Sequence, residues 1–279
     1  MNILSLQSQV VYGHVGNSAA VPALQSLGAE VWAVPTALLS NHPGHGRPGG
    51  GIEPAAETQA LLDGLERLGL FARCDGVLSG YLGRAANGHR LLTALDRIRR
   101  ARPDGLYLCD PVMGDADPGL YVQADLPAFF RDQAAGAADI MTPNCFELEQ
   151  LTGRVIDTPA AALVAAQTRR RLGPEAVVCT SLELAGGTGI GTLAADVRGA
   201  WLVATPKLAE VPQGSGDLLA ALLLFHRLRG LELAAALGLA VSAVFAVLKS
   251  SAGLPEMALI PHLDTLRAPA EIFPPTPVS

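Results

Sequence analysis

The tetrapeptide Gly214-Ser215-Gly216-Asp217 runs without a breaker into LLAALLLFHRL, an apolar sequence of helical character. A helix starting at such a junction turns several unpaired backbone N–H groups, and the positive end of its dipole, toward one point. That arrangement suits an anion, in particular charge developing on a phosphate. Gly214 and Gly216 carry no Cβ to block a close approach. Asp217 falls in the first turn, where the dipole would hold it ionised and able to accept a proton. The same position also reads as a plain helix N-cap.

A second group is oxygen-rich. DPVMGD places Asp110 at a strand end, and Pro111 cannot continue a sheet, so the carboxylate turns into the crevice. About one βα unit later, PNCFE spaces Asn144 and Glu147 by one helical turn, so that both share a face. One or two carboxylates with waters and phosphate oxygens are what Mg²⁺ takes. Asn144 as N-cap with Glu147 as its capping-box partner is an equally physical reading, and both can hold at once. No GxxxxGK[ST] and no GxSxG occurs, and the first strand–helix turn lacks GxGxxG. These absences leave out a P-loop site, a nucleophile elbow and a dinucleotide fingerprint.

Short apolar runs alternating with helical patterns must position these groups, which predicts an α/β fold with a mostly parallel sheet between helices. Strands are expected over 3–7, 30–39, 76–79, 106–109, 139–141 and 176–180, with two more between 188 and 203. Helices are expected from an N-cap at Asn17 or Ser18 to Leu27, over 55–68, 87–100 and 159–172, in a short turn through Leu151, and in two long stretches within 217–251. GYLG, DPVMGD and TPNCFE each follow a strand, on the edge where open α/β sheets collect ligands. The glycine- and proline-dense stretch 40–54 predicts a mobile flap without regular structure, and FPPTPVS a frayed tail. No linker or repeat interrupts the pattern, so 1–279 is expected to be one domain.

With 279 residues, 49% hydrophobic, and a net charge of −6, the chain can bury a large core. An acidic surface without a basic block argues against nucleic acid or an anionic membrane as ligand. The apolar run 233–248 reads as a buried helix, too short and too alanine-rich for a span. MNILSLQSQVVYGH has neither the basic nor the apolar segment of a secretory signal, which predicts the cytoplasm. Cys74, Cys109, Cys145 and Cys179 form no CxxC pair and read as buried, reduced thiols.

QSQVVYGHVGNSAA (7–20), SNHPGHG (40–46), SGYLG (79–83), CDPVMGD (109–115), TPNCFELEQLTG (142–153) and GSGD (214–217) together resemble the pyridoxal kinases of the ribokinase superfamily. The likeness runs over nearly the whole chain. GSGD and DPVMG mark the superfamily, shared with hydroxymethylpyrimidine kinases, while the opening segment and SGYLG point to the vitamin B6 branch. The resemblance implies a ribokinase-like three-layer sandwich that phosphorylates the 5′-hydroxymethyl group of pyridoxal with MgATP. It implies Asp217 as general base, the amides of Gly214, Ser215 and Gly216 as the phosphoryl cradle, and Asp110 and Glu147 organising the metal and ATP, with Thr142 and Asn144 beside them. It also implies Ser8 on the pyridine edge, Tyr81 and His42 around the ring, a homodimer, and a monovalent cation as an open question.

Departures from the family pattern are Pro43-Gly44 in place of a polar pair, Thr180 in place of a lysine, and Leu120 in place of an aldehyde-trapping cysteine. Lys207 is the candidate to replace the missing cation. The alternatives are a hydroxymethylpyrimidine kinase, separable by its alcohol substrate, and a low-turnover pyridoxal-binding protein.

Overall fold

A computed structural model describes residues 1–279. In chain order its elements are β1 (Asn2–Val10), α1 (Asn17–Ser26), β2 (Glu30–Leu39), β3 (Gly50–Ile52), α2 (Ala55–Arg67), β4 (Gly76–Ser79), α3 (Ala85–Ala101) and β5 (Leu106–Cys109). The hairpin β6 (Gly114–Asp115) and β7 (Gly119–Leu120) follows, then α4 (Leu126–Phe129), a π turn over Phe130–Ala134 and α5 (Ala135–Ala137). The second half comprises β8 (Ile140–Met141), α6 (Cys145–Thr152), α7 (Pro159–Arg170), β9 (Ala176–Glu183), β10 (Gly189–Ala195), β11 (Ala200–Pro206), α8 (Ser215–Leu228), α9 (Leu233–Ser250), α10 (Leu263–Arg267) and β12 (Thr276–Pro277).

Ten strands form one sheet in the order β12-β11-β10-β9-β8-β5-β4-β1-β2-β3. The six central strands from β9 to β2 are parallel, and β10, β11, β12 and β3 are antiparallel additions at the two edges. The pleat sends successive side chains to opposite faces. Ile3, Leu78, Leu108, Ile140 and Val178 join the core under α1, α8, α9 and α10. Leu4, Val77, Tyr107 and Met141 join the core under α2, α3 and α4. Their neighbour Val177 packs with α6 and α7 in a third cluster. Three layers result, and every parallel strand ends on the same edge.

Several sequence expectations change. α1 is capped by Gly16 without a side-chain bond. Asn17 bonds Ser5 and the Gln7 carbonyl, and Ser18 bonds Val10, so both side chains tie the helix to β1 rather than cap it. The 40–54 stretch is not irregular: a 3₁₀ turn covers Pro43–His45, and β3 pairs with β2 through Ala37 and Ile52. The tail is not frayed, because β12 pairs with Trp201 and Leu202 of β11 and Val278 donates to the Ala200 carbonyl. α3 starts at Ala85, with Asn87 buried inside it and bonding the carbonyls of Leu82 and Glu53. α9 is an 18-residue apolar helix of membrane-spanning length and composition. It packs against α8, α10 and β11, which accounts for its hydrophobicity. Cys145 is half-buried rather than buried, and all four thiols are free.

Candidate active site

α8 is capped by Gly214, whose φ of +102° is a conformation glycine adopts without strain. A Cβ at Gly214 would lie 1.9 Å from the His14 carbonyl oxygen, so no other residue fits there. This close approach seats the loop after β1 on the helix start. No side chain caps the first turn, so its amides are left for a ligand. The cap is Gly214, and Asp217 is therefore not the N-cap. The Gly16 backbone amide lies toward its carboxylate and favours the ionised form. Burial pushes Asp217 up to about 6, against the effect of that amide, rather than leaving it low as the dipole argument alone suggests. A carboxyl with that value is ionised at neutral pH and basic enough to take a proton.

Gly16 is also constrained. Its φ is +54°, and a Cβ there would meet the Ser8 carbonyl oxygen at 2.3 Å. Ser8 is 6% exposed and sits where the β1–β2 register shifts between Gln7 and Gln9. The next strand over brings its loop close: Gly80 donates to the Leu6 carbonyl, and Tyr81 follows it, half-buried, with its own carbonyl held by Thr36 Oγ1 at 2.5 Å.

Asp110 lies buried at the end of β5, its Oδ1 accepting from Thr142 Oγ1 at 2.9 Å. Asn144 and Glu147 form a complete capping box on α6. Glu147 does more than cap: its Oε1 accepts from Met113 N at 2.8 Å, so one carboxylate holds the DPVMG loop against the helix. Asn144 Nδ2 reinforces this through the Gly114 carbonyl and Asp115. Burial and the Asp217 charge push Asp110 up to about 8. Burial and the Asp110 charge raise Glu147 well above the carboxylate range, despite its three backbone donors.

Asp110 repels Asp217 on one side and Glu147 on the other, with no cationic side chain among them, a donor set that a hard divalent cation would relieve, so the residues fit Mg²⁺. Lys207 does not fill that role. Its Nζ pairs with Glu183 at 2.5 Å on an exposed surface, while Thr180 bridges to Asn144.

Thus Asp110, Thr142, Asn144, Glu147, Asp217 and the Gly214–Gly216 amides come together, with Ser8 near the end of β1 and Tyr81 on the loop after β4. His42 belongs to a different arrangement. It caps the 3₁₀ turn by accepting from Gly44 N through Nδ1, and its Nε2 contacts Glu256 Oε1 at 2.7 Å. His45 Nε2 reaches the same oxygen, and Glu256 Oε2 accepts from His14 N at 3.0 Å. Glu256 therefore fastens both the 42–45 turn and the loop after β1, a function that no local sequence signal reveals. Tyr121 was missed as well. Its amide donates to the Met113 carbonyl at 3.1 Å, and although the residue is about half exposed, desolvation with the charges of Glu147, Asp115, Asp217 and Asp110 raises its phenol. The hairpin it follows has strands of two residues each, too short for a periodic signal.

The sheet order, the glycine-started helix and the carboxylate cluster define a small-molecule kinase of the ribokinase-like class, and a phosphomethylpyrimidine kinase family model matches residues 73–258. The chain is 47% identical to pyridoxal kinase PdxY of Rubrobacter xylanophilus, across 98% of this chain and 96% of that one. It is 45% identical to pyridoxal kinase PdxY of Deinococcus radiodurans, across 98% and 95%. A pyridoxal kinase from Leishmania donovani in complex with ADP and pyridoxamine superposes with a TM-score of 0.94 at 29% identity, covering 100% of this chain and 99% of that one. The chain belongs to the pyridoxal kinase family.

Proposed function

We propose that the chain transfers the terminal phosphoryl group of ATP to the 5′-hydroxymethyl group of pyridoxal, with pyridoxine and pyridoxamine as further acceptors. The observation that carries this reading is the corner where uncapped amides of α8 stand beside Asp217, within the field of Asp110. Relatives named pyridoxal kinase, and related structures holding ADP with pyridoxamine or pyridoxine, support the choice of substrates.

In this reading Asp217 accepts the proton of the attacking hydroxyl, and the Gly214, Ser215 and Gly216 amides receive charge on the transferring group. Asp110 and Glu147, with Thr142 and Asn144 beside them, would hold Mg²⁺, which would supply positive charge to neutralise the phosphates. Their raised values support this, because a cation among them favours the ionised forms. Ser8 is nearly buried beside the glycine corner and bonds the polar edge of the pyridine ring, and Tyr81 flanks the ring. His42 acts on the ring indirectly, by holding the 42–45 turn.

Phosphoryl transfer asks mainly for positioning, so excluding water matters. Residues 40–54 act as the lid over a single kinase domain spanning 1–279, closing through Glu256 rather than lying loose. The protein works in the cytoplasm as a homodimer. A coupled assay of ADP release across pyridoxal, pyridoxine, pyridoxamine and hydroxymethylpyrimidine tests the reading. ADP release that is fastest with a B6 alcohol supports it, whereas preference for the pyrimidine, or retention of pyridoxal without ADP release, contradicts it.

A further inference from the structure

We propose that His42, His45 and Glu256 form a site for a borderline divalent transition ion such as Zn²⁺, distinct from the carboxylates assigned to Mg²⁺. A 3₁₀ turn has three residues per turn, so side chains at i and i+3 eclipse. His42 at its cap and His45 at its end accordingly stand on one edge, with ring centroids 4.4 Å apart. Both Nε2 atoms aim at the same oxygen of Glu256, more than 200 residues away in sequence. The three donor atoms all lie within 4.8 Å of one another.

Zn–N and Zn–O bonds of about 2.0–2.2 Å put the ligand atoms of a tetrahedral centre roughly 3.3 Å apart. His42 Nε2 and Glu256 Oε1 stand 2.7 Å apart and His45 Nε2 is closer still, so retreats of about half an ångström for His42 and about one ångström for His45 admit an ion. Two imidazoles and one carboxylate suit zinc, copper, cobalt or nickel, whereas Mg²⁺ prefers an all-oxygen shell. The outer support is present as well. The His14 amide fixes Glu256 through Oε2, the oxygen not shared by the histidines. His45, with 26% of its side chain exposed, leaves the remaining coordination position open to water.

An ion on His42 Nε2 moves that ring's proton to Nδ1 and gives up the bond from Gly44 N, which at 3.2 Å is the weakest contact of the group. Once bound, the ion pins the 42–45 turn to the segment after α9. Zn²⁺ would therefore restrain the lid while Mg²⁺ would not.

The test uses the full chain without nucleotide, with excess Mg²⁺ present to occupy the carboxylates. Calorimetric titration with Zn²⁺ should show one equivalent per chain, and Co²⁺ should give the intense visible absorption of a tetrahedral site. His45→Gln and Glu256→Gln should each weaken Zn²⁺ at least about tenfold, with far-ultraviolet circular dichroism reporting that both variants are folded. Cys145→Ser should leave the titration unchanged. The proposal is overturned if the wild-type chain takes up no stoichiometric Zn²⁺. It is equally overturned if His45→Gln binds as the wild type does, or if Cys145→Ser abolishes binding, which would move the ion to the Cys145–Cys179 pair at 3.6 Å.

Discussion

The corner at the start of α8 and the 40–49 loop are neighbours, since a Cβ on Gly44 would lie 3.3 Å from Gln213 Nε2, one residue before Gly214. They are held in different ways. At the corner, backbone meets backbone: Gly214 against the His14 carbonyl, Gly16 against Ser8, with no space to yield. The 40–49 loop is held by hydrogen bonds from two histidines to one distant carboxylate, contacts that can break and re-form. Rigid contacts therefore surround the atoms assigned to chemistry, and reversible ones the segment assigned to closure, as a lid-gated transfer requires.

Four substitutions probe this contrast. Asp217→Asn should lower kcat by about 10²–10⁴-fold, the range for losing a general base, with pyridoxal affinity little changed. Steady-state kinetics with equilibrium binding would show it, and an equal loss in both would make Asp217 a binding group only. Gly214→Ala should destabilise the fold by about 1–3 kcal/mol in denaturant unfolding, through positive φ and the clash with His14. A silent Gly214→Ala would mean that the corner yields as readily as the loop.

Asp110→Asn should stabilise the metal-free protein in alkaline solution by on the order of 1 kcal/mol while impairing Mg²⁺-dependent turnover. The sign follows from linkage. The folded protein holds the Asp110 proton up to about pH 8, against an ordinary value of 3.8, so ionisation costs stability increasingly as pH rises through that window. Thermal melting should show little gain at pH 3.5, a partial gain at pH 5 and the full gain at pH 9. The smallest effect is expected at the latch. Glu256→Gln should raise KM for pyridoxal by roughly three- to tenfold, as loss of charge-assisted hydrogen bonds implies, with kcat changed less. A large fall in kcat with KM intact would contradict a positioning role.

The same contrast explains what the sequence made legible. β2, β4 and β5 are bounded as expected because each is a dense apolar run ended by turn residues. The GSGD corner and the Asn144–Glu147 box were readable because helix starts are written in adjacent residues. Glu256 was not, since its partners lie more than 200 residues away and LPEM carries no periodic or capping signal. β3 and β12 escaped for a related reason. Glycine and proline argue against strands locally, yet a sheet edge with a partner accepts them, as at Gly50 against Leu39 and Pro277 against Trp201. The elevation of Asp217 was equally hidden, because desolvation is a property of the packed surroundings rather than of the motif.

The central claim is that Asp217 takes the proton of the attacking alcohol. Its most direct test is the pH dependence of kcat/KM for pyridoxal in the wild-type chain and in Asp217→Asn under saturating MgATP. The wild type should lose activity as pH falls through about 6, where Asp217 protonates, and the variant should show a low rate without that acidic limb. An acidic limb that survives unchanged in Asp217→Asn would assign the proton acceptor to another group and contradict the account.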